Sequence, residues 1–216
     1  MWYGSSTILN NIMSHAIVRN NSDLEKQFTQ NNTPSCLLDI YSNKKWKCDR
    51  LLMDCFNCNL TVVPNDLPIK VEHLVLSKNK INLSEDSFIK YINLKYIFLR
   101  NNLITTLPEG LLKYQPNLTR LYLNENKLTS IPENFFSNSY SLKWLFLDDN
   151  QLNLFNLTSL CTLKKLKWLE LQHNNLTLED QTFPPLHHLT ELDLSYNKIK
   201  TINEYLFMNL GHLERL

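Results

Sequence analysis

The sequence predicts an α/β solenoid, a stack of short coils with a parallel concave β-sheet on one side and irregular or 3₁₀ turns on the other. Three observations carry this. First, Cys58, Asn79, Asn102, Asn126, Asn150, Asn174 and Asn197 recur at intervals of 21, 23, 24, 24, 24 and 23 residues. Second, the same apolar frame surrounds each, as in Val71-Glu-His-Leu74-Val-Leu76-Ser-Lys-Asn79-Lys-Ile81 and Leu94-Lys-Tyr-Ile97-Phe-Leu99-Arg-Asn-Asn102-Leu-Ile104. Third, a separate apolar column, Phe88, Leu112, Phe136, Leu160, Phe183 and Phe207, stands six residues before the next unit opens. One supersecondary unit copied this way cannot bury its apolar face alone, and stacking makes the copies into a continuous core.

Each element follows from the spacing. In the frame L-x-L two leucines separated by one residue share a face of an extended segment, because side chains alternate along a strand. The asparagine marks the point where the chain leaves the strand. The residue three places after the outer apolar column is Tyr91, Gln115, Ser139, Leu163, Leu186 or Leu210, a mixed set. Pro64, Pro108 and Pro132 follow soon after the recurring Asn or Cys position. A proline has no N–H to give and a fixed φ, so it suits an outer arc and not a central strand. Long helices are not expected. Units open at Val71, Leu94, Leu118, Leu142, Leu166 and Leu189, and a seventh begins at Leu213.

The frame L-x-x-L-x-L-x-x-N-x-L, kept from Met53 to Leu216, resembles the leucine-rich repeat family. The resemblance implies a horseshoe with the sheet on its concave side. It also implies a structural ladder in which Cys58, Asn79, Asn102, Asn126, Asn150, Asn174 and Asn197 bond backbone groups of neighbouring turns, cysteine being the usual substitute in that column. Cys48-Asp-Arg-Leu-Leu-Met-Asp-Cys55, followed by Phe-Asn-Cys58-Asn-Leu-Thr-Val-Val-Pro64-Asn-Asp-Leu-Pro68, is similar to the cysteine-containing N-terminal cap of extracellular members, and its tail to that of Toll-like receptors. The resemblance implies a Cys48–Cys55 disulfide closing a short loop over the exposed end of the core. The expected organisation is therefore a leader over 1–35, a cap over 36–70 and repeats over 71–216.

Residues 1–35 are rich in Ser and Asn, with neither the basic start nor the apolar stretch of a secretory signal, and read as a disordered leader or a truncated start. The seventh unit stops at Leu216 without a polar cap, which reads as a fragment or a gene product cut short. Cys36 has no evident partner, and Cys161, beside Leu160, is expected to be a buried free thiol. Redox or zinc use of Cys55-Phe-Asn-Cys58 lacks the surrounding pattern that either needs.

Composition narrows the function. Twenty-two basic against 21 acidic residues, net charge +1, leave no nucleic-acid footprint. No apolar run is long enough to span a membrane. Sequons N-x-S/T at Asn20, Asn31, Asn59, Asn82, Asn117, Asn156 and Asn175 avoid every ladder position and are compatible with an extracellular or cell-surface glycoprotein. Catalytic signatures are absent, and carboxylates on the inner face are expected to lack a burying environment. No cofactor or metal is expected.

Side chains pointing out of the strands remain. One column reads Val75, Phe98, Tyr122, Phe146, Glu170, Asp193; the other reads His73, Tyr96, Arg120, Trp144, Trp168, Glu191. Tyr96, Phe98, Tyr122, Trp144, Phe146 and Trp168 thus gather on four successive strands as a candidate ligand-binding patch, with mutual packing of a solvent-facing sheet as the competing reading. Lys95, Arg100 and Arg120 lie toward the early strands, and Asp148, Asp149, Glu170, Glu191 and Asp193 toward the later ones. The expected function is non-catalytic recognition of a protein or polymer ligand, as part of a Toll-like or adhesion receptor. The alternatives are a secreted matrix or scaffold protein and a cytosolic scaffold.

Overall fold

Alternation sends the two leucines of every frame to the same side of the chain, and stacking takes them out of water. In the computed structural model, which describes residues 51–216, Leu74, Leu76, Leu99, Leu123, Leu145, Leu147, Leu169 and Leu171 are fully buried in one continuous core. Among the described residues seven three-residue strands form a single sheet in chain order: β1 Leu52–Asp54, β2 His73–Val75, β3 Tyr96–Phe98, β4 Arg120–Tyr122, β5 Trp144–Phe146, β6 Trp168–Glu170 and β7 Glu191–Asp193. All pairs are parallel and in register, so His73, Tyr96, Arg120, Trp144, Trp168 and Glu191 are true neighbours across the sheet. A parallel bridge from Glu191 to Arg215 continues the series. The sheet begins one strand before the first full unit, since β1 pairs with β2 in the same register.

After each strand the chain must turn sharply, and it does so through a residue in the left-handed region. Lys78, Asn101, Glu125, Asp149, His173 and Tyr196, each just before a ladder asparagine, have φ of 52–57°. For a residue with a Cβ this costs about 1–2 kcal/mol. Bonds to the next coil hold it: the N–H groups of Lys78, Asn101, Glu125, Asp149 and His173 donate to the carbonyls of Arg100, Asn124, Asp148, Gln172 and Ser195.

The asparagines sew consecutive coils together. Asn150 Oδ1 accepts the Leu128 N–H at 3.0 Å, and its Nδ2 donates to the carbonyls of Leu123, Leu147 and Asp148 at 3.0–3.1 Å. Asn79, Asn102, Asn126, Asn174 and Asn197 make the equivalent set. At Cys58 the backbone N–H donates to Asn79 Oδ1, while the thiol lies 3.5 Å from the Phe56 carbonyl.

Outer arcs are tight turns closed by bonds from one N–H to a carbonyl three residues earlier, as from Leu111 to Pro108 and from Phe135 to Pro132. The proline thus opens the turn, where its missing donor costs nothing. Among the described residues the helical element is a 3₁₀ helix, Leu157–Thr162, whose first turn is capped by Asn156 Oδ1 accepting the Thr158 N–H. Phe88, Leu112, Phe136, Leu160 and Phe183 are fully buried. The mixed column behind them is buried too, and two of its polar members reach across arcs, the Tyr91 hydroxyl donating to the Pro64 carbonyl and Gln115 Nε2 to that of Phe88 at 2.8 Å.

Candidate recognition face

The residues flanking the core leucines form two rows on the concave sheet, and the two rows differ. Val75, Phe98, Tyr122 and Phe146 are at most 1% exposed and make a second apolar cluster, separate from the main core. Phe98, Tyr122 and Phe146 stack with ring centroids 4.4 Å apart. This corrects the expectation of six exposed aromatics. Parallel in-register pairing sets equivalent rings one strand spacing apart, about 4.8 Å, so large rings on consecutive strands cover one another's faces.

The other row stands partly in solvent. His73, Tyr96, Arg120, Trp144 and Trp168 are half-buried, and Tyr96, Trp144 and Trp168 pack against the dry row. The His73 and Tyr96 rings stack nearly parallel, with centroids 4.2 Å apart. The Arg120 guanidinium lies 4.7 Å from the Tyr96 ring centre and 4.4 Å from that of Trp144, a cation held between two π-faces. Burial, with a smaller push from Lys95 and Arg120, holds the His73 imidazole below its usual pKa, against the pull of Glu72. At the far end Trp168 Nε1 donates to Glu170 Oε1 at 2.8 Å.

Ion pairs redraw the charge map expected from sequence. Lys95 is neutralised by Glu72 at 2.7 Å, and Arg100 by Glu125, whose other oxygen accepts from Asn101 Nδ2 at 2.7 Å. Burial pushes the Glu125 carboxyl up, but the bonds from Asn101 and Arg100 outweigh it and leave the group below its usual range. Glu191 takes Arg215. Arg120 is in none of these pairs.

Two inner-face carboxylates are buried, contrary to expectation: Asp148 is 5% exposed and Glu170 6%. Burial first, then the neighbouring Glu170 charge, pushes the Asp148 carboxyl up to about 8, with Arg100 opposing. Its Oδ1 is buried without a hydrogen-bond partner, as is Asn124 Oδ1 on the preceding coil. Sequence reasoning missed this because Asp148 lies beyond the strand, at a position that reads as a turn.

The remaining sites divide by location. Asn59, Asn82, Asn117 and Asn156 are exposed and Asn175 is half-buried; Asn20 and Asn31 lie outside the described residues, as do Cys36 and Cys48. Cys55 is fully buried, and burial with the nearby Cys58 pushes its thiol up to about 12. A redox C-x-x-C needs the opposite shift. Cys161 is exposed, not buried as expected: the arc that buries Leu160 turns the next side chain outward. A cavity of about 190 Å³, lined by Val62, Asn82, Asp86, Ile89 and Tyr91 among others, lies between the first two outer arcs, away from the concave rows. Among the described residues no set of three His, Cys, Asp or Glu gathers to hold a metal ion, and no helix is long and apolar enough to cross a membrane.

Known proteins share this architecture. The leucine-rich repeat family model matches residues 116–176 and 177–216. Amphoterin-induced protein 2 of Mus musculus is 34% identical over 73 residues, 33% of this chain and 14% of its own length. The Toll chain of the Drosophila Toll–Spatzle complex superposes with a TM-score of 0.65 at 26% identity, over 72% of this chain and 23% of its own. A leucine-rich repeat protein of Leptospira interrogans gives the same score and identity over 74% of this chain and 41% of its own. The chain therefore spans a minor part of each of these proteins. With the recurrent frame, the in-register parallel sheet and these likenesses in agreement, residues 116–216 carry leucine-rich repeats and the described chain folds as a leucine-rich repeat solenoid.

Proposed function

We propose that this chain is a non-catalytic recognition module, extracellular or at the cell surface, that binds a protein ligand on its concave face as part of a Toll-like or adhesion receptor. The observation that carries the reading is the half-exposed row Tyr96–Arg120–Trp144–Trp168 standing on the dry row beneath it. Rings packed against a rigid buried row offer a large contact area that loses little side-chain entropy on binding. Phe98, Tyr122 and Phe146 act as the foundation of the patch and Tyr96, Trp144 and Trp168 as its contact surface. The Toll neighbour was solved bound to a protein, Spatzle, which supports a protein ligand.

Export is supported by sequons at exposed Asn59, Asn82, Asn117 and Asn156. At Asn156 a glycan on Nδ2 would leave Oδ1 free to keep its helix-capping bond. Cys55 stands as a free thiol in this structure; on the family resemblance we assign its oxidised state to a Cys48–Cys55 cap disulfide, with the repeats beginning at Val71. A secreted scaffold of the same family is the alternative.

The test is an array of secreted and cell-surface ectodomains probed with the full chain and with Trp144→Ala and Trp168→Ala. Binding lost with melting temperature retained supports the reading. Lowered melting with capture untouched would return both tryptophans to a structural role.

A further inference from the structure

Arg120 occupies the centre of the half-exposed row, and its chemistry there is incomplete. Both faces of its guanidinium are taken, by Tyr96 on one side and Trp144 on the other. What remains is the edge, where the N–H donors point in the plane. Among the described residues Glu72, Glu125 and Glu191 are committed to Lys95, Arg100 and Arg215, and Arg120 has no carboxylate within ion-pair distance. Its Nε is buried and makes no hydrogen bond. A planar cation locked between rings, with its donor fork unanswered, is pre-organised for a planar two-oxygen acceptor. Lys143, with Nζ 6.0 Å from the Trp144 ring, adds a second positive charge on the same rim.

We propose, building on the concave-face reading, that Arg120 is the anchor of the interface and receives an aspartate or glutamate carboxylate from a protein partner, seated between Tyr96 and Trp144. The charge pattern favours a protein over an anionic polymer. Three strands along, about 15 Å away at the usual strand spacing, stands Asp193, beyond the buried Glu170. A chain carrying negative charge at every repeat would meet that acidic end, whereas a folded partner can place one carboxylate at β4 and neutral or basic groups opposite β7. Opposed signs across an interface chiefly fix register and reject wrong partners.

The experiment selects dodecapeptides from a random library on the full chain and measures affinity by calorimetry. The proposal expects enrichment of Asp or Glu at one position. It also expects at least about a tenfold loss, from the lost charge-assisted bonds, both for Arg120→Gln and for the Glu→Gln peptide. The two losses should not multiply when combined. Arg120→Lys, which keeps the charge without the fork, should lose most of the same affinity. Full binding by Arg120→Lys, or a selected consensus without an acid, would overturn the proposal. A Trp168→Ala variant run in parallel separates the failures. If Trp168→Ala weakens binding and Arg120→Gln does not, the face binds but Arg120 is not its anchor; if neither does, the concave-face reading itself falls. Hyaluronan oligosaccharides are the polymer probe, and binding of these in place of peptides would overturn the choice of a protein partner.

Discussion

Replacing a ladder asparagine by alanine should cost less than its bonds suggest, and replacing two neighbours should cost more than twice as much. Asn150→Ala removes one acceptor and three donor contacts. The Leu123 carbonyl, however, keeps the Asn126 amide, the Leu147 carbonyl keeps that of Asn174, and the Asp148 carbonyl keeps the Glu125 N–H. Only the Leu128 N–H is orphaned, at about 1–3 kcal/mol. Asn126→Ala likewise orphans only the Ile104 N–H, because Leu99 keeps Asn102 and Asn124 keeps the Asn101 N–H. Together the two substitutions also strip the Leu123 carbonyl of both its amide partners. The double variant should therefore lose about 1–3 kcal/mol beyond the sum of the singles. Asn102 and Asn150 share no carbonyl, so that pair should be additive within about 0.5 kcal/mol. Urea unfolding followed by far-ultraviolet circular dichroism measures all five variants. Equal coupling in the adjacent and alternate pairs would refute the shared-carbonyl account.

Tyr122→Ala, in the dry row, should destabilise by about 3–5 kcal/mol, whereas half-exposed Trp168→Ala should cost clearly less; urea midpoints of the two variants decide whether the rows differ as described. Asp148 gives a pH dependence of definite sign. Its carboxyl titrates higher folded than unfolded, so its contribution is fully present below about pH 4 and is lost as pH rises towards 8. Wild-type stability should thus fall between pH 5 and pH 9 more than that of Asp148→Asn, measured by thermal melting at each pH. Thiol labelling of the native, unreduced chain should modify exposed Cys161 and spare buried Cys55. If Cys48 and Cys55 are joined, Cys55 stays unlabelled after unfolding until reductant is added, as peptide mass mapping would show.

The period was legible because the core needs the same residue types at the same spacing in every coil: leucine at 121, 145 and 169, asparagine at 126, 150 and 174. The left-handed column was not. Lys78, Asn101, Glu125, Asp149, His173 and Tyr196 have no side chain in common. In the first five the conformation is held by a backbone bond to the next coil, which any L-residue but proline can make. The dry row was half legible. Alternation put Phe98, Tyr122 and Phe146 on the concave face, but whether a ring there meets water depends on what the adjacent coils carry at the same register. A single-strand pattern contains no such information. Asp148 was missed for the same reason, since its burial comes from neighbouring coils and not from its own segment.

Two of these failures, the dry row and Asp148, share a direction that bears on function. The fold consumes side chains that a strand-by-strand reading leaves available, so the surface free for recognition is narrower than the sequence suggests. Of the six aromatics on the concave face, three hold the sheet to itself. Of the three basic residues toward the early strands, Lys95 and Arg100 hold acids of this chain. What remains is a short wall in which one cation is clamped between rings. That reduction sharpens the case for binding, because a group immobilised by its own neighbours has already lost the freedom that docking would otherwise take from it. Were the wall merely structural, a carboxylate of this chain at Arg120 would complete it as Glu125 completes Arg100, and the described residues supply none.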